Sequence, residues 1–194
     1  MVSNSSLFAG ADVSSGRNPV TFAAVDEDLN ITILEKWDIF GALSCLQEYK
    51  NVWFVTSRFS SKAGPETYRD FKRQMTQAGF QSFSKKENPK HWFETSAQDC
   101  YHQWVGQNPL PRRSLEGRLQ RALALFEQGL RIEDPMDIFE EITRYKLIKG
   151  IFRLDNIFSS KELDALAAAY LAWQSVNRPE RVVAAGEFVL PAQE

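Results

Sequence analysis

The stretch that decides the architecture is Leu7–Trp37, in which three apolar runs follow one another within about thirty residues: LFAGADVS at Leu7–Ser14, VTFAAVD at Val20–Asp26 and ITILEKW at Ile31–Trp37. The first is a short apolar run broken by turn residues, which reads as a buried strand. SSGRNP, rich in turn formers, and DEDLN separate it from the two runs that follow. The third alternates between apolar and polar side chains, as a half-buried strand does. Three strands in such close succession predict an antiparallel meander.

Working outward, Asp38 is placed to cap a helix over IFGALSCLQEYK, with Phe40, Leu43 and Leu46 on one stripe. Val52–Thr56 (VWFVT) is then a buried strand, and a strand reached through a crossover helix runs parallel to its sheet neighbour. Pro65–Ala78 is an amphipathic helix through Tyr68, Phe71 and Met75, stopped by Gly79. His91–Thr95 is a brief strand and Ala97–Val105 a short helix. Ser114–Leu130 carries Leu115, Leu119, Ala122, Leu123 and Phe126 at helical spacing. Asp134-Pro135 opens a further helix that runs to Lys149, with Gly150 as its stop. Ser159-x-x-Glu162 is a capping box before SKELDALAAAYLAW, whose apolar stripe is Leu163, Leu166, Ala167, Tyr170 and Leu171. Arg181–Leu190 reads as one closing strand. The class is therefore α/β: a mixed sheet, antiparallel meander first and parallel strands after it, flanked by helices. We read residues 1–194 as one domain with a helical insertion over about 106–150.

Composition limits what such a domain does. The chain has 194 residues, 43% hydrophobic and 25% charged, with a formal net charge of -2. These values argue against disorder, collagen and coiled coil. They also exclude a polycation, so nucleic-acid binding would need a local basic patch or a metal. Two cysteines, Cys45 and Cys100, and two histidines, His91 and His102, are too few for a closed Cys-rich zinc site. Packing is the simpler role for His91, Cys100 and His102. Sparse cysteines point to a reducing compartment, and the start of the chain lacks the basic, then apolar, pattern of a secretory signal; a cytoplasmic location is expected. The longest apolar stretch, Ala165–Trp173, falls far short of a membrane span of about 20 residues. No phosphate-binding glycine loop, dinucleotide fingerprint, nucleophile elbow or zinc-protease motif is present.

Three acids stand where chemistry is possible. Asp12 ends the first strand among small residues (Gly10, Ser14, Ser15, Gly16), which leaves room for a ligand; the plainer role is to cap its own turn. Asp164 sits in the second turn of the last helix beside Ala165, Ala167, Ala168 and Ala169, small residues that let a helix approach a sheet; the plainer role is to complement the helix dipole. Glu94 lies within the aromatic segment HWFETSAQDCYHQW. Buried, it would need a cation or a metal; at a sheet edge it would face water. Basic residues cluster as well. Between Arg58 and Lys90 eight lysines and arginines stand against three acids, interleaved with Phe59, Tyr68, Phe80 and Phe83. Arg112, Arg113, Arg118 and Arg121 stand against Glu116 alone. Such a mixture suits a phosphate-bearing polymer and equally a solvated helix face.

Four segments in this order resemble a bacterial and archaeal family of predicted nucleases with a ribonuclease H-like fold: GADVSSGR, HWFETSAQDCYHQWVG, LPRRSLEGRLQR, and ELDALAAAYLAW followed by GEFVLP. Together they span most of the chain. The resemblance implies a ribonuclease H-like sheet and metal-dependent hydrolysis of phosphodiesters. It implies that Asp12, Asp164 and Glu94 are catalytic and hold Mg²⁺ or Mn²⁺, and that Arg112, Arg113 and Arg118 neutralise a nucleic-acid backbone. The chain departs from the family at the fourth strand, VWFVTSRFS, where Thr56 stands in place of the usual aspartate. Lys161 also stands one turn before Asp164, where related helices often carry a second acid. These departures keep open an alternative of another kind, a non-catalytic nucleic-acid-binding module with a degraded metal site. A metal-dependent enzyme for a small phosphate ester is a third reading.

Overall fold

The computed structural model describes residues 3–13, 19–57, 65–82, 89–149 and 157–192. The meander forms as its turn chemistry dictates: β1 (Ser3–Asp12), β2 (Val20–Val25) and β3 (Ile31–Trp37) pair antiparallel in sequence. The β2–β3 turn is closed by Asp26, whose Oδ1 accepts the amides of Asp28 and Asn30, each at 2.9 Å. Asp38 caps α1 (Ile39–Gln47), accepting the Gly41 amide at 2.9 Å. The crossover then delivers β4 (Tyr49–Ser57) parallel to β1, with Leu7 opposite Val52 and Ala11 opposite Thr56. A second crossover through α2 (Pro65–Gln77) adds β5 (Gln81–Ser82) and β6 (Lys90–Thr95), and β6 lies parallel to β4.

The remaining chain is α3 (Ala97–Val105), α4 (Leu115–Glu127), α5 (Pro135–Lys149), α6 (Ser160–Asn177), a 3₁₀ turn at Pro179–Arg181, β7 (Val182–Ala185) and β8 (Phe188–Pro191). The strand order is β3-β2-β1-β4-β6-β8-β7, with β5 beside the first half of β6. The mixed α/β sheet flanked by helices is thus as expected, and β1 is central between β2 and β4. Three details differ from the sequence reading. β1 begins four residues earlier, at Ser3. β5 was not anticipated. The tail forms an antiparallel hairpin, β7–β8, with Gly186 at φ +66°, rather than one strand. The proposed stop at Gly150 lies outside the described residues.

α6 is the centre of one core. Its capping box forms: the Ser159 hydroxyl accepts the Glu162 amide, and the Glu162 carboxylate accepts the Ser159 amide. The expected apolar stripe is instead a full circumference, since every residue from Leu163 to Ser175 is buried. The cause is enclosure on both sides. Phe8, Ala23, Val55 and Phe93 of the sheet pack beneath α6, and Tyr101 of α3 with Ala122 and Leu125 of α4 pack above it. The approach to the sheet is closest at Gly10, where an added Cβ would run into the carbonyl of Ala165 and the amide of Ala169. The opposite face of the sheet carries a second core of Leu7, Ala9, Ala11, Phe22, Val52 and Phe54 under α1 and α2.

The segment read as a helical insertion is joined to the α6 core. α4 packs on α3 and α6, and α5 rests on α4 through Leu119 and Ile142. The Arg131 amide donates to the Leu29 carbonyl at 3.0 Å, tying the end of α4 back to the β2–β3 turn. No described helix is long and apolar enough to cross a membrane.

Candidate active site: two carboxylates and an arginine

Asp12 is the last residue of β1 and lies on the sheet face that carries α6. There Ser57, the last residue of β4, donates its hydroxyl to Asp12 Oδ1 at 3.0 Å and accepts the Val13 amide at 2.8 Å. Asp164 reaches the same point from above, because the Ser159 cap starts α6 over the carboxyl ends of the central strands. Both aspartates are buried, at 3% and 8% exposure. Their carboxylates meet on one atom. Nη2 of Arg112 lies 3.3 Å from Asp12 Oδ2 and is ion-paired with Asp164 Oδ2.

The segment that presents Arg112 is anchored at successive carbonyls. Leu110 O accepts Arg121 Nη1 at 2.9 Å, and Pro111 O accepts the Ser114 amide and hydroxyl at 3.1 and 3.0 Å. Arg112 O accepts the Ser160 hydroxyl at 2.8 Å, from the first turn of the helix that carries Asp164. Arg121, 1% exposed, also donates to Gly117 O and to Gln98 Oε1, at 2.8 and 2.9 Å. It is thereby a buried link between α4, the 110–112 segment and α3.

These groups border a cleft of about 400 Å³ whose other wall is the end of β6 and the first turn of α3, Thr95 to Asp99, with Phe188. Burial raises the Asp164 carboxyl to about 7; Arg112 opposes the shift, Asp12 adds to it and Arg121 opposes it. Desolvation therefore outweighs the ion pair, and Asp164 changes charge near neutrality. Nearby Cys100 is fully buried and its thiol is pushed up to about 12, which makes it a packing residue rather than a nucleophile.

The sequence-derived candidates divide sharply. Asp12, Asp164 and Arg112 come together. Glu94 does not join them. It pairs across the sheet with Thr56, and the indole nitrogen of the neighbouring Trp92 donates to the Thr56 hydroxyl at 3.1 Å, on the α2 face. Glu94 there hydrogen-bonds Tyr68 of α2. The position beside Asp12 on β4 is Ser57 rather than Thr56, a correction of one residue that moves the side chain to the other face of the sheet. Arg113 is exposed. Arg118 is committed to backbone: its Nε donates to Phe158 O at 2.7 Å and its Nη2 to Ile157 O. Of the basic–aromatic cluster, Arg58, Phe59, Lys62, Phe83, Lys85 and Lys86 lie outside the described residues, while Lys72 pairs with Glu187 and Arg73 with Asp70. His91 stacks on Trp53 with ring centroids 4.1 Å apart, and Cys100 Sγ lies 3.2 Å from the Thr95 hydroxyl, as packing roles require.

The sequence reading passed over Ser57, Thr95 and Arg121 as site residues. Among the described residues no group of three or more His, Cys, Asp and Glu side chains is placed to hold a metal. Two carboxylates and a serine hydroxyl suit one hard, oxygen-seeking ion that keeps several waters, and do not suit a pair of bridged ions. Comparison with family models, with curated proteins and with solved structures gives no match.

Proposed function

We propose that the chain is a metal-dependent phosphodiester hydrolase of ribonuclease H-like fold, acting on nucleic acid, with Asp12 and Asp164 as the residues that hold a single Mg²⁺ or Mn²⁺. The observation that carries this reading is the convergence of two buried carboxylates on one guanidinium nitrogen at the carboxyl end of the central strand, open to a cleft. The strand order β3-β2-β1-β4-β6, antiparallel at β2 and parallel across β1, β4 and β6, supports the fold assignment.

In this reading Ser57 fixes the Asp12 carboxylate by its hydrogen bond, leaving Oδ2 turned toward Asp164 and the cleft. In the metal-free site burial raises Asp164 to about 7, so an ion taken up there would displace its proton. Arg112, 38% exposed, is the cation that can meet a phosphate on the cleft side. A bound ion would supply Lewis-acid polarisation of a phosphoryl oxygen and a bound water of lowered pKa. The first turn of α3 forms the opposite wall, its Asp99 amide capped by the Ser96 hydroxyl.

A second reading has its own observation. Ser57 where a third acid would complete the site, and Arg112 seated between the remaining two, favour a non-catalytic nucleic-acid-binding module. A nuclease panel on single- and double-stranded DNA and RNA with Mg²⁺ and Mn²⁺, run beside Asp12→Asn, separates the two. Cleavage lost in Asp12→Asn supports the hydrolase. Binding of oligonucleotide without metal-dependent cleavage supports the module.

A further inference from the structure

We infer that Arg112 and a divalent cation are alternative occupants of the Asp12–Asp164 pair, so that the arginine is a built-in competitor that regulates metal loading of the site; this rests on the metal reading above. The geometry is specific. The same guanidinium nitrogen meets Oδ2 of both aspartates, which is where an ion bridging the two carboxylates must bind. A charge-assisted hydrogen bond and a metal–oxygen bond draw on the same oxygen lone pairs, so the two cations exclude one another there.

The charges lead to the same exchange. With both aspartates ionised, as an ion would require, two carboxylates and one guanidinium leave one negative charge uncompensated in a buried pocket. An added divalent ion, with the guanidinium kept in place, leaves one positive charge in excess. The balance closes when the ion takes the carboxylates and the displaced guanidinium turns to a phosphodiester in the cleft. Arg112 is suited to that exchange. Its backbone is held by Ser160, while its side chain is 38% exposed and borders the cleft. The side chain can therefore move without disturbing the segment that carries it. Arg118 and Arg121 have no such freedom, being bonded to carbonyls and to Gln98.

The test is Mn²⁺ titration of wild type, Arg112→Gln, Arg112→Lys and Asp164→Asn, read by calorimetry and by the electron-paramagnetic signal of free Mn²⁺. A neutral glutamine at position 112 should tighten Mn²⁺ binding by about tenfold or more. Lysine, a shorter and freely rotating point charge that is not held over the pair as the planar guanidinium is, should fall between glutamine and wild type. Asp164→Asn should bind more weakly than wild type. Arg112→Gln binding no more tightly than wild type, while Asp164→Asn loses affinity, overturns the competition and leaves the metal reading standing. Absence of Mn²⁺ binding in both wild type and Arg112→Gln overturns both. Should Arg112→Gln fail to fold, the lysine variant decides by the same direction of change.

Discussion

At the carboxyl end of β1, β4 and β6 the two faces of the sheet carry similar chemistry to different ends. On the α6 face, Asp12 and Asp164 meet Arg112 beside an open cleft. On the α2 face, Glu94 meets the Tyr68 hydroxyl, Tyr68 neighbours Lys72, and Lys72 pairs with Glu187, which belongs to the β7–β8 turn. The difference lies in who supplies the opposing groups. On the α2 face they come from a helix and a turn that also hold the sheet edge in place, so the polar cluster joins elements. On the α6 face the arginine comes from a separately anchored segment and two like charges are held together, an arrangement with little merit as a structural tie.

The largest effect that would test this division comes from adjacent substitutions. Thr56→Asp places a carboxylate in a fully buried position opposite Glu94, and should cost about 3–5 kcal/mol in urea denaturation with no recovery on adding Mn²⁺. Ser57→Asp adds the same group beside Asp12. It should lower the melting temperature in EDTA and recover by more than wild type when Mn²⁺ is added, by mass action on the folded state. Equal recovery of the two variants would erase the distinction between the faces.

Next is the approach of α6. Gly10→Ala should destabilise by about 2–3 kcal/mol, because the new methyl meets helix backbone that cannot yield. Ala9→Gly, one residue away on the other face, should cost about 1 kcal/mol, the ordinary entropic penalty of glycine in a strand. A smaller effect on Gly10→Ala than on Ala9→Gly would show that the helix stands further off.

The pH dependence is smaller. The folded-state pKa of Asp164, about 7, exceeds its ordinary value of 3.8. A proton on Asp164 is thus favoured by folding, and this contribution is full below about pH 4 and lost as pH rises through 7. In EDTA, Asp164→Asn should gain on wild type across that window by on the order of 2 kcal/mol. Asp12, Arg112 and Arg121 are the charged groups that act on Asp164, so a flat difference would mean that the ion pair cancels burial, and a reversed one that it outweighs burial. Least of all, Glu94→Gln should leave the Mn²⁺ isotherm unchanged within a factor of about two, as expected of a residue on the far face. A loss like that of Asp164→Asn would return Glu94 to the site.

Much of the fold was legible because its punctuation is local. The Asp26 turn, the Asp38 cap and the Ser159/Glu162 box are each decided by residues within four positions of one another. So were Asp12 and Asp164, at a strand end and a helix start. The face of each central strand was not legible. VWFVTS and HWFET are buried on both sides, so they lack the alternation that tells one face from the other, and Thr56 was taken for Ser57 and Glu94 for a neighbour of Asp12. Arg112 was found among the basic residues, but its position depends on carbonyl contacts from Ser160, Ser114 and Arg121 that no spacing rule encodes.

The burial of α6 has a consequence for how the molecule is made. Its partner at Gly10 lies more than 150 residues earlier in the chain, and among the described residues α6 is the helix that covers the sheet centre on that side. During synthesis β1, β2 and β4 must wait, with Phe8, Ala23 and Val55 uncovered, until the last helix emerges. Closure of that interval is a long-range event, slow relative to forming the hairpins themselves. The period before α6 docks is when the nascent sheet is most exposed to aggregation, and a chain cut before Ser160 should need a chaperone to stay in solution.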